Sequence, residues 1–296
     1  MGSINVFLYG GLGNQMFQYA FARKLALEHN LNLNLNLHGF NIDNYFQRKF
    51  DLKNFDISYQ NIVYGDGLRF NLCRLMQHYP NQSQLVRSLF SSLIVEKTNN
   101  VQYNKITLSN QQSNFYLYGY WQDELYFNDI KNYIVNDFSL IKEFSPDNNK
   151  IREIIKDNNN YIAVHARMLH MVKTSAKNDF DVNKNLNYRV KSNYYSEALK
   201  YINDRVENPV FYVFSDKPKD AKTYFQELNY QFVFLDNSRG EDFEDLSLMS
   251  KFQHHIIANS SFSWWGAWLG QKTEQIVIAP KETLFTPNIP PNWTQL

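Results

Sequence analysis

The sequence specifies an α/β protein built on parallel, doubly wound sheets, and three patterns point to it. Apolar runs at Tyr161 to Val164, Val210 to Phe214, Phe232 to Leu235, Ile256 to Ala258 and Ile276 to Ala279 alternate with helical stretches, the arrangement that winds a parallel sheet. Near the start, the apolar run Ile4 to Tyr9 enters a glycine turn. A helix follows it, marked by Phe17, Ala20, Phe21 and Leu25 at helical spacing. Leu31, Leu33, Leu35 and Leu37 then alternate strictly with asparagine, the period-two pattern of a strand with one wet face.

These segments make the first β-α-β unit. Residues 40 to 110 mix aromatic and polar stretches, with helices expected around Leu68 to Gln77 and Gln84 to Leu93. The run Phe115 to Tyr118 leads through Gly119-Tyr120-Trp121-Gln122-Asp123 into a helix, a second strand-to-helix switch. Ser145-Pro146-Asp147-Asn148-Asn149 is turn-rich and polar, which sets a boundary between domains 1–147 and 148–296. A chain of 296 residues suits two domains of ~150 residues each. Beyond the boundary the helices are expected at Ser192 to Asn203, Pro218 to Leu228, Asp242 to Lys251 and Ser261 to Leu269. Parallel sheets bind ligands outside the carboxyl ends of their strands, so the informative residues belong in those loops.

Composition excludes several classes of partner. Thirty Lys and Arg stand against 29 Asp and Glu, so no global field draws the chain onto a nucleic acid or an anionic bilayer. Cys73 is the only cysteine, which excludes an internal disulfide and a CxxC metal site and suits a reducing compartment. Its simplest role is a small core residue near Leu72 and Leu75. Met1-Gly2-Ser3-Ile4 leads straight into a strand without a basic then apolar leader, so the expectation is cytoplasmic. No apolar run approaches the ~20 residues of a membrane span. The frequent asparagines read as composition.

Four loops carry chemistry. Gly11, Gly13 and Asn14 form a turn whose backbone admits close approach, and the helix starting near Gln15 presents N–H groups to an anion such as phosphate. The run Gly10-Gly11-Leu12-Gly13 departs from GxGxxG, so a purely structural turn is an equal reading. His165-Ala166-Arg167 ends a strand. A guanidinium there can grip a diphosphate bidentately and keep its charge, while a surface ion pair and a core histidine are the plain alternative. Ser215 and Asp216 end the next strand, where either caps the helix opened by Pro218, or Asp216 accepts from the N1 and amino donors of guanine. Asn259, Ser260, Ser261, Phe262 and Ser263 put an amide, hydroxyls and N–H groups between a strand and a helix, a neutral phosphate cradle. Trp264 and Trp265 either stack on a sugar or fill the core. No Asp-x-Asp stands at a strand end for a metal-bound nucleotide, and the adjacent His254 and His255 are poorly placed to share a metal; no metal site is expected.

These loops in this order resemble the α-1,2-fucosyltransferases of glycosyltransferase family 11. Two segments carry the likeness: Gly10 to Ala20 (GGLGNQMFQYA), and Asp245-Leu246-Ser247-Leu248-Met249-Ser250 through Ile257 to Trp268 (IANSSFSWWGAW). Gly119 to Asp123 is similar to the family as well, and the likeness spans nearly the whole chain. The resemblance implies a GT-B-like pair of Rossmann-type domains, the first acceptor-side and the second binding the GDP-sugar. It implies GDP-β-L-fucose as donor, an inverted linkage to a galactoside hydroxyl, and no cofactor or metal. It also implies an oligosaccharide acceptor, lipid-linked in O-antigen synthesis, with at most peripheral contact with the inner membrane and no nucleic acid. Trp121, Gln122, Asp123 and His170 are the acceptor-side candidates, while Gly11, Gly13, Asn14 and Gln15 join Ser215, Asp216 and 259–263 on the donor side. His165 and Arg167 match the family's His-x-Arg-Arg-Gly-Asp-Tyr motif, whose first arginine contacts the diphosphate. Met168, Leu169, His170 and Met171 depart from it. An apolar Met168 beside the sugar suits a more deoxygenated donor, such as a GDP-linked colitose.

Asp43, Asp123, Glu124 and His170 are the available general bases. A Rossmann-type oxidoreductase would carry an acid near the end of its second strand, where this chain reads Leu35-Asn36-Leu37-His38. A non-catalytic sugar-binding relative is the remaining alternative, on the altered motif alone.

Overall fold

The computed structural model describes residues 2–43, 47–79, 91–96, 103–109, 113–156, 158–168, 193–235, 241–270, 272–281 and 287–296. The chain divides into two compact units, Met1–Ile141 and Lys142–Leu296. The division falls just ahead of the turn-rich segment expected to mark it. Ser145 instead occupies the N-cap position of a helix without a side-chain capping bond, and Glu244 Oε2 accepts from Ser145 N (3.0 Å), Ser145 Oγ (2.7 Å) and Asn148 Nδ2 (2.7 Å).

The first unit holds β1 (Ser3–Phe7), β2 (Asn32–Asn36), β3 (Asn61–Val63), β4 (Leu93–Val95) and β5 (Asn114–Tyr118). They form one parallel sheet in the order β3-β2-β1-β5-β4. Its helices are α1 (Leu12–Glu28), α2 (His38–Asn41), α3 (Gly67–His78) and α4 (Lys131–Asp137). β1 is central, and its Ile4, Val6 and Phe7 are fully buried. α1 is buried around most of its circumference, as its apolar sequence requires. The alternating asparagines serve the sheet. Asn61, Asn34 and Asn5 stand side by side in register, with Asn61 Nδ2 donating to Asn34 Oδ1 (3.1 Å) and Asn34 Nδ2 to Asn5 Oδ1 (3.0 Å). This cross-strand amide ladder satisfies the polar face that composition alone left unexplained. α1 is fastened to α4 by Asp137 Oδ2, which accepts from Tyr19 Oη (2.6 Å) and Arg23 Nε (2.9 Å).

In the second unit β6 (Tyr161–Ala166), β7 (Val210–Ser215), β8 (Gln231–Phe234), β9 (His254–Ile256), β10 (Val277–Ala279) and β11 (Thr294–Gln295) form a parallel sheet ordered β11-β10-β9-β6-β7-β8. Its helices are α5 (Pro146–Ile155), α6 (Tyr194–Asn203), α7 (Pro218–Phe225), α8 (Asp242–Met249) and α9 (Ser261–Gly270). Counted from β6 this is the 3-2-1-4-5-6 order of a Rossmann sheet, whose direction reverses between β6 and β9. Trp264, Trp265 and Trp268 of α9 are at most 1% exposed and pack on one another, Trp264 with Trp265 at 5.1 Å and Trp265 with Trp268 at 5.2 Å between centroids. The tryptophans are therefore core, and the sugar-stacking alternative is corrected. The helix expected at Gln84 to Leu93 lies outside the described residues except at its end, where Leu93 opens β4.

His255, on the buried β9, is fully enclosed, and neither ring nitrogen has a hydrogen-bond partner of good geometry. Burial, then the adjacent His254, pushes its pKa down from 6.5 to about 3. The folded pKa lies below the unfolded one, so on acidification the unfolded chain takes up the proton first. Stability falls from about pH 6.5 downward and levels off near 3. We expect His255→Leu to flatten the loss of stability with acid by up to about 1.4 kcal/mol per pH unit in this window, read from urea unfolding at stepped pH. Identical slopes for both proteins would remove His255 as the cause.

Candidate active site

Both sheets are parallel, so the loops at the carboxyl edge of each converge, and the expected residues fall there. In the second unit the reversal point between β6 and β9 brings three loops together. His165, near the end of β6, is 5% exposed and its ring lies 5.5 Å from that of Phe262 at the start of α9. Its carbonyl accepts from Tyr195 Oη of α6 at 2.9 Å. The neighbouring Tyr194 Oη lies 2.6 Å from the Ile257 carbonyl and 3.0 Å from that of Ile278, so consecutive tyrosines of one helix hold the ends of β6, β9 and β10.

Arg167, just beyond β6, keeps 30% of its side chain exposed, with Nε 3.4 Å from Asp216 Oδ2 in an ion pair that lacks hydrogen-bond alignment. Asp216 Oδ1 accepts the Met168 amide at 2.8 Å. Asp216 thus turns both oxygens toward the β6 loop, and a guanine edge would compete with those contacts. It does not cap α7, whose N-cap is Lys217 without a side-chain bond. Ser215 Oγ donates to the Ala166 carbonyl (2.7 Å) and accepts from Lys217 N (3.1 Å), tying β7 to β6.

The loop after β9 supplies the third wall. Asn259 is 5% exposed, with an Nδ2 that has no hydrogen-bond partner among the described residues. Ser260 Oγ accepts the Phe262 amide at 3.3 Å. Ser260, Ser261 and Phe262 are half-buried. Ser263 is fully buried, its Oγ within 3.3 Å of the Ser260 carbonyl, so its hydroxyl shapes the turn. Met168 also departs from expectation. It is 7% exposed within the cluster of Ile162, Val164, Ala166 and Tyr195, so its side chain is part of the core. His170 and Leu169 lie outside the described residues.

In the first unit, β1 and β5 are neighbours, which brings the glycine turn to the Gly119–Asp123 segment. Gln122 Nε2 donates to Asn14 Oδ1 at 2.8 Å across them. Gly10 has φ +81°, and a Cβ there would stand 2.9 Å from Asn14 Nδ2, so the turn requires glycine. Gln15 is fully buried; its Nε2 donates to the Gly10 (3.0 Å) and Lys49 (2.8 Å) carbonyls and its Oε1 accepts from Asp51 N (3.0 Å). Its amide holds the turn's shape. The Arg48 guanidinium, unforeseen from sequence, stands 3.9 Å from the position of a Gly11 Cβ and adds positive charge beside the turn.

Trp121 is 2% exposed at φ +56°, a conformation that costs a bulky residue energy. Glu96 enforces it. Its two carboxylate oxygens accept the successive amides of Tyr120 (2.6 Å) and Trp121 (3.0 Å), and a Cβ on Gly119 would fall 2.4 Å from Glu96 Cβ. Burial pushes the Glu96 pKa up, and the two amide donors oppose that. Asp123 Oδ1 accepts the Leu125 amide at 2.9 Å, capping the next turn. Glu96→Gln turns an amide N–H₂ toward one backbone N–H, and we expect a loss of about 1–3 kcal/mol in urea unfolding. An unchanged midpoint would show that Glu96 does not hold this turn.

Comparison with known proteins bears on these two edges. The chain is 31% identical over 293 residues to an alpha-1,2-colitosyltransferase of Escherichia coli, covering 92% of this chain and 89% of that protein. It is 31% identical over 299 residues to the O-antigen biosynthesis glycosyltransferase WbnK of Escherichia coli, covering 93% of each. Among solved structures, the fucosyltransferase NodZ from Bradyrhizobium aligns over 90% of this chain and 91% of its own at TM-score 0.53 and 12% identity, a likeness of GT-B-like fold. The model of Glycosyl transferase family 11 matches residues 3–294, and the chain belongs to that family of glycosyltransferases.

Proposed function

We propose that the protein transfers a 6-deoxyhexose, L-fucose in the first instance, from its GDP-linked form to a galactoside hydroxyl of an O-antigen oligosaccharide in α-1,2 linkage. The observation that carries the proposal is Arg167, a half-exposed cation at the β6–β9 reversal point beside the Asn259–Phe262 turn. An acceptor hydroxyl oxygen attacks the anomeric carbon as the bond from that carbon to the diphosphate oxygen breaks, inverting the centre. The hydroxyl proton passes to a general base, for which the chain offers Asp43, Asp123, Glu124 and His170. Negative charge builds on the departing GDP, and a preorganised guanidinium with N–H and hydroxyl donors stabilises it. No metal is assigned to this step, and Gly11, Gly13 and Asn14 are assigned to substrate contact through the main chain.

A colitose donor is the second reading, favoured by the relative named as a colitosyltransferase. It does not rest on Met168, whose side chain is in the core.

Calorimetry with GDP, GDP-fucose and GDP-colitose, each with and without EDTA, tests the donor. Binding of GDP and one GDP-sugar that survives EDTA is expected, and failure to bind any guanine nucleotide would overturn the reading. Arg167→Ala should lower kcat by a factor on the order of 10² or more. Near-normal turnover would remove Arg167 from the leaving-group role. Asp216→Ala should weaken GDP binding only through Arg167, so its effect should vanish in the Arg167→Ala background; additive effects would mean a direct contact.

A further inference from the structure

α3 carries two apolar faces, and the fold uses one. Phe70, Cys73 and Met76 are at most 3% exposed and pack with Phe7, Leu93, Val95 and Tyr118. Leu68, Leu72, Leu75 and Tyr79 recur at i, i+4, i+7 and i+11 along another side. Leu68 is 75% exposed, Leu75 51% and Tyr79 54%, and Tyr64 just before the helix is 65% exposed. One exposed leucine is ordinary, but four large exposed side chains within one short stretch make a patch.

The polar residues around this patch indicate what it meets. α3 contains no Asp or Glu, and exposed Arg69 lies on one flank of the stripe with exposed Arg74 and His78 on the other. Arg69 is engaged within the fold, paired with Asp66 at 2.9 Å and lying over the Tyr116 ring at 4.5 Å, which leaves Arg74 and His78 as the basic flank. Tyrosines stand at both ends. An apolar stripe flanked by an arginine whose stem can lie along it, and bounded by tyrosine rings, matches the plane between lipid headgroups and acyl chains. Overall charge is +1, so attraction to a bilayer would be local to this helix.

The position is also informative. α3 follows β3, so Tyr64 and Leu68 lie toward the carboxyl edge of the first sheet, where the glycine turn and the Gly119–Asp123 segment also lie. We propose that the Tyr64, Leu68, Leu75 and Tyr79 face of α3 docks on an anionic bilayer. It rests on the proposed function only for its purpose, which is to hold that edge near a lipid-linked acceptor.

Co-sedimentation of the full chain with phosphatidylglycerol–phosphatidylcholine vesicles, against phosphatidylcholine alone, tests it without turnover. Binding to the anionic vesicles is expected, weakened by salt, and weakened on the order of tenfold or more by Leu68→Ser with Leu75→Ser. Arg74→Glu should weaken it as well. Both leucines are exposed, so thermal unfolding and GDP binding should be unchanged in the double variant. Absence of binding to anionic vesicles, or undiminished binding by the double variant, would overturn the proposal. So would a concentration-dependent dimer dissolved by the same substitutions without vesicle binding. Loss of GDP binding with vesicle binding intact would refute the donor reading and leave this one standing.

Discussion

The pairing of β6 with β7 on one side and β9 on the other is the constraint on which the second unit's site depends. A parallel ladder fixes every strand in the same direction, so all the connecting loops on one edge must leave together. The register places His165 opposite Phe214 and Ala166 opposite Ser215, which sets Arg167 and Asp216 side by side. The chain order then reverses, and β9 delivers Asn259 to Phe262 on the other flank of β6. Tyr194 and Tyr195 reinforce this by donating to main-chain carbonyls of β6, of β10 and of Ile257 just after β9. Burial holds both phenol groups in the neutral form, the state able to donate.

The first unit solves a different problem, since its turn after β5 is held in a conformation that a tryptophan does not favour. A half-buried carboxylate accepting two consecutive amides compensates for that strain, and the glycine before them leaves room for it. The same turn carries Gln122 to Asn14, so the two strand-end loops of β1 and β5 act as one body. Rigid loops on a rigid sheet are what a group-transfer enzyme needs if reacting atoms are to be held within a fraction of an ångström.

Much of this was legible in the residues, for reasons specific to each element. β6 and β7 are buried on both faces, so they read as unbroken apolar runs. β9 was displaced by two residues, because His254 and His255 look polar in sequence while burial keeps both below their usual pKa. β3, β4 and β11 have three, three and two residues, too few for any period to show. The start of α5 read as a turn because its capping acceptor, Glu244, comes from α8, far along the chain. Glu96 was invisible for the same reason: its meaning lies in amides 24 and 25 residues away. Strand-end loops could be read as sites from topology alone. The division of labour within them depends on which atoms already have partners, and that information is tertiary.

The altered motif after β6 shows how far that division reaches. Where the family resemblance implies a second arginine, this chain has Met168, whose amide is held by Asp216 and whose side chain is enclosed with Ile162, Ala166 and Tyr195. A guanidinium placed there would be buried among apolar groups, where an unpaired charge is costly. The methionine is therefore consistent with the packing of this loop. Among the described residues, Arg167 supplies positive charge at the reversal point, partly exposed and paired with Asp216. In the proposed reaction this 3.4 Å ion pair, which lacks hydrogen-bond alignment, would exchange one carboxylate for a diphosphate with little reorganisation. Arg167 and its acidic neighbour act together in the proposed reaction, the acid holding the cation in place until a more highly charged anion arrives.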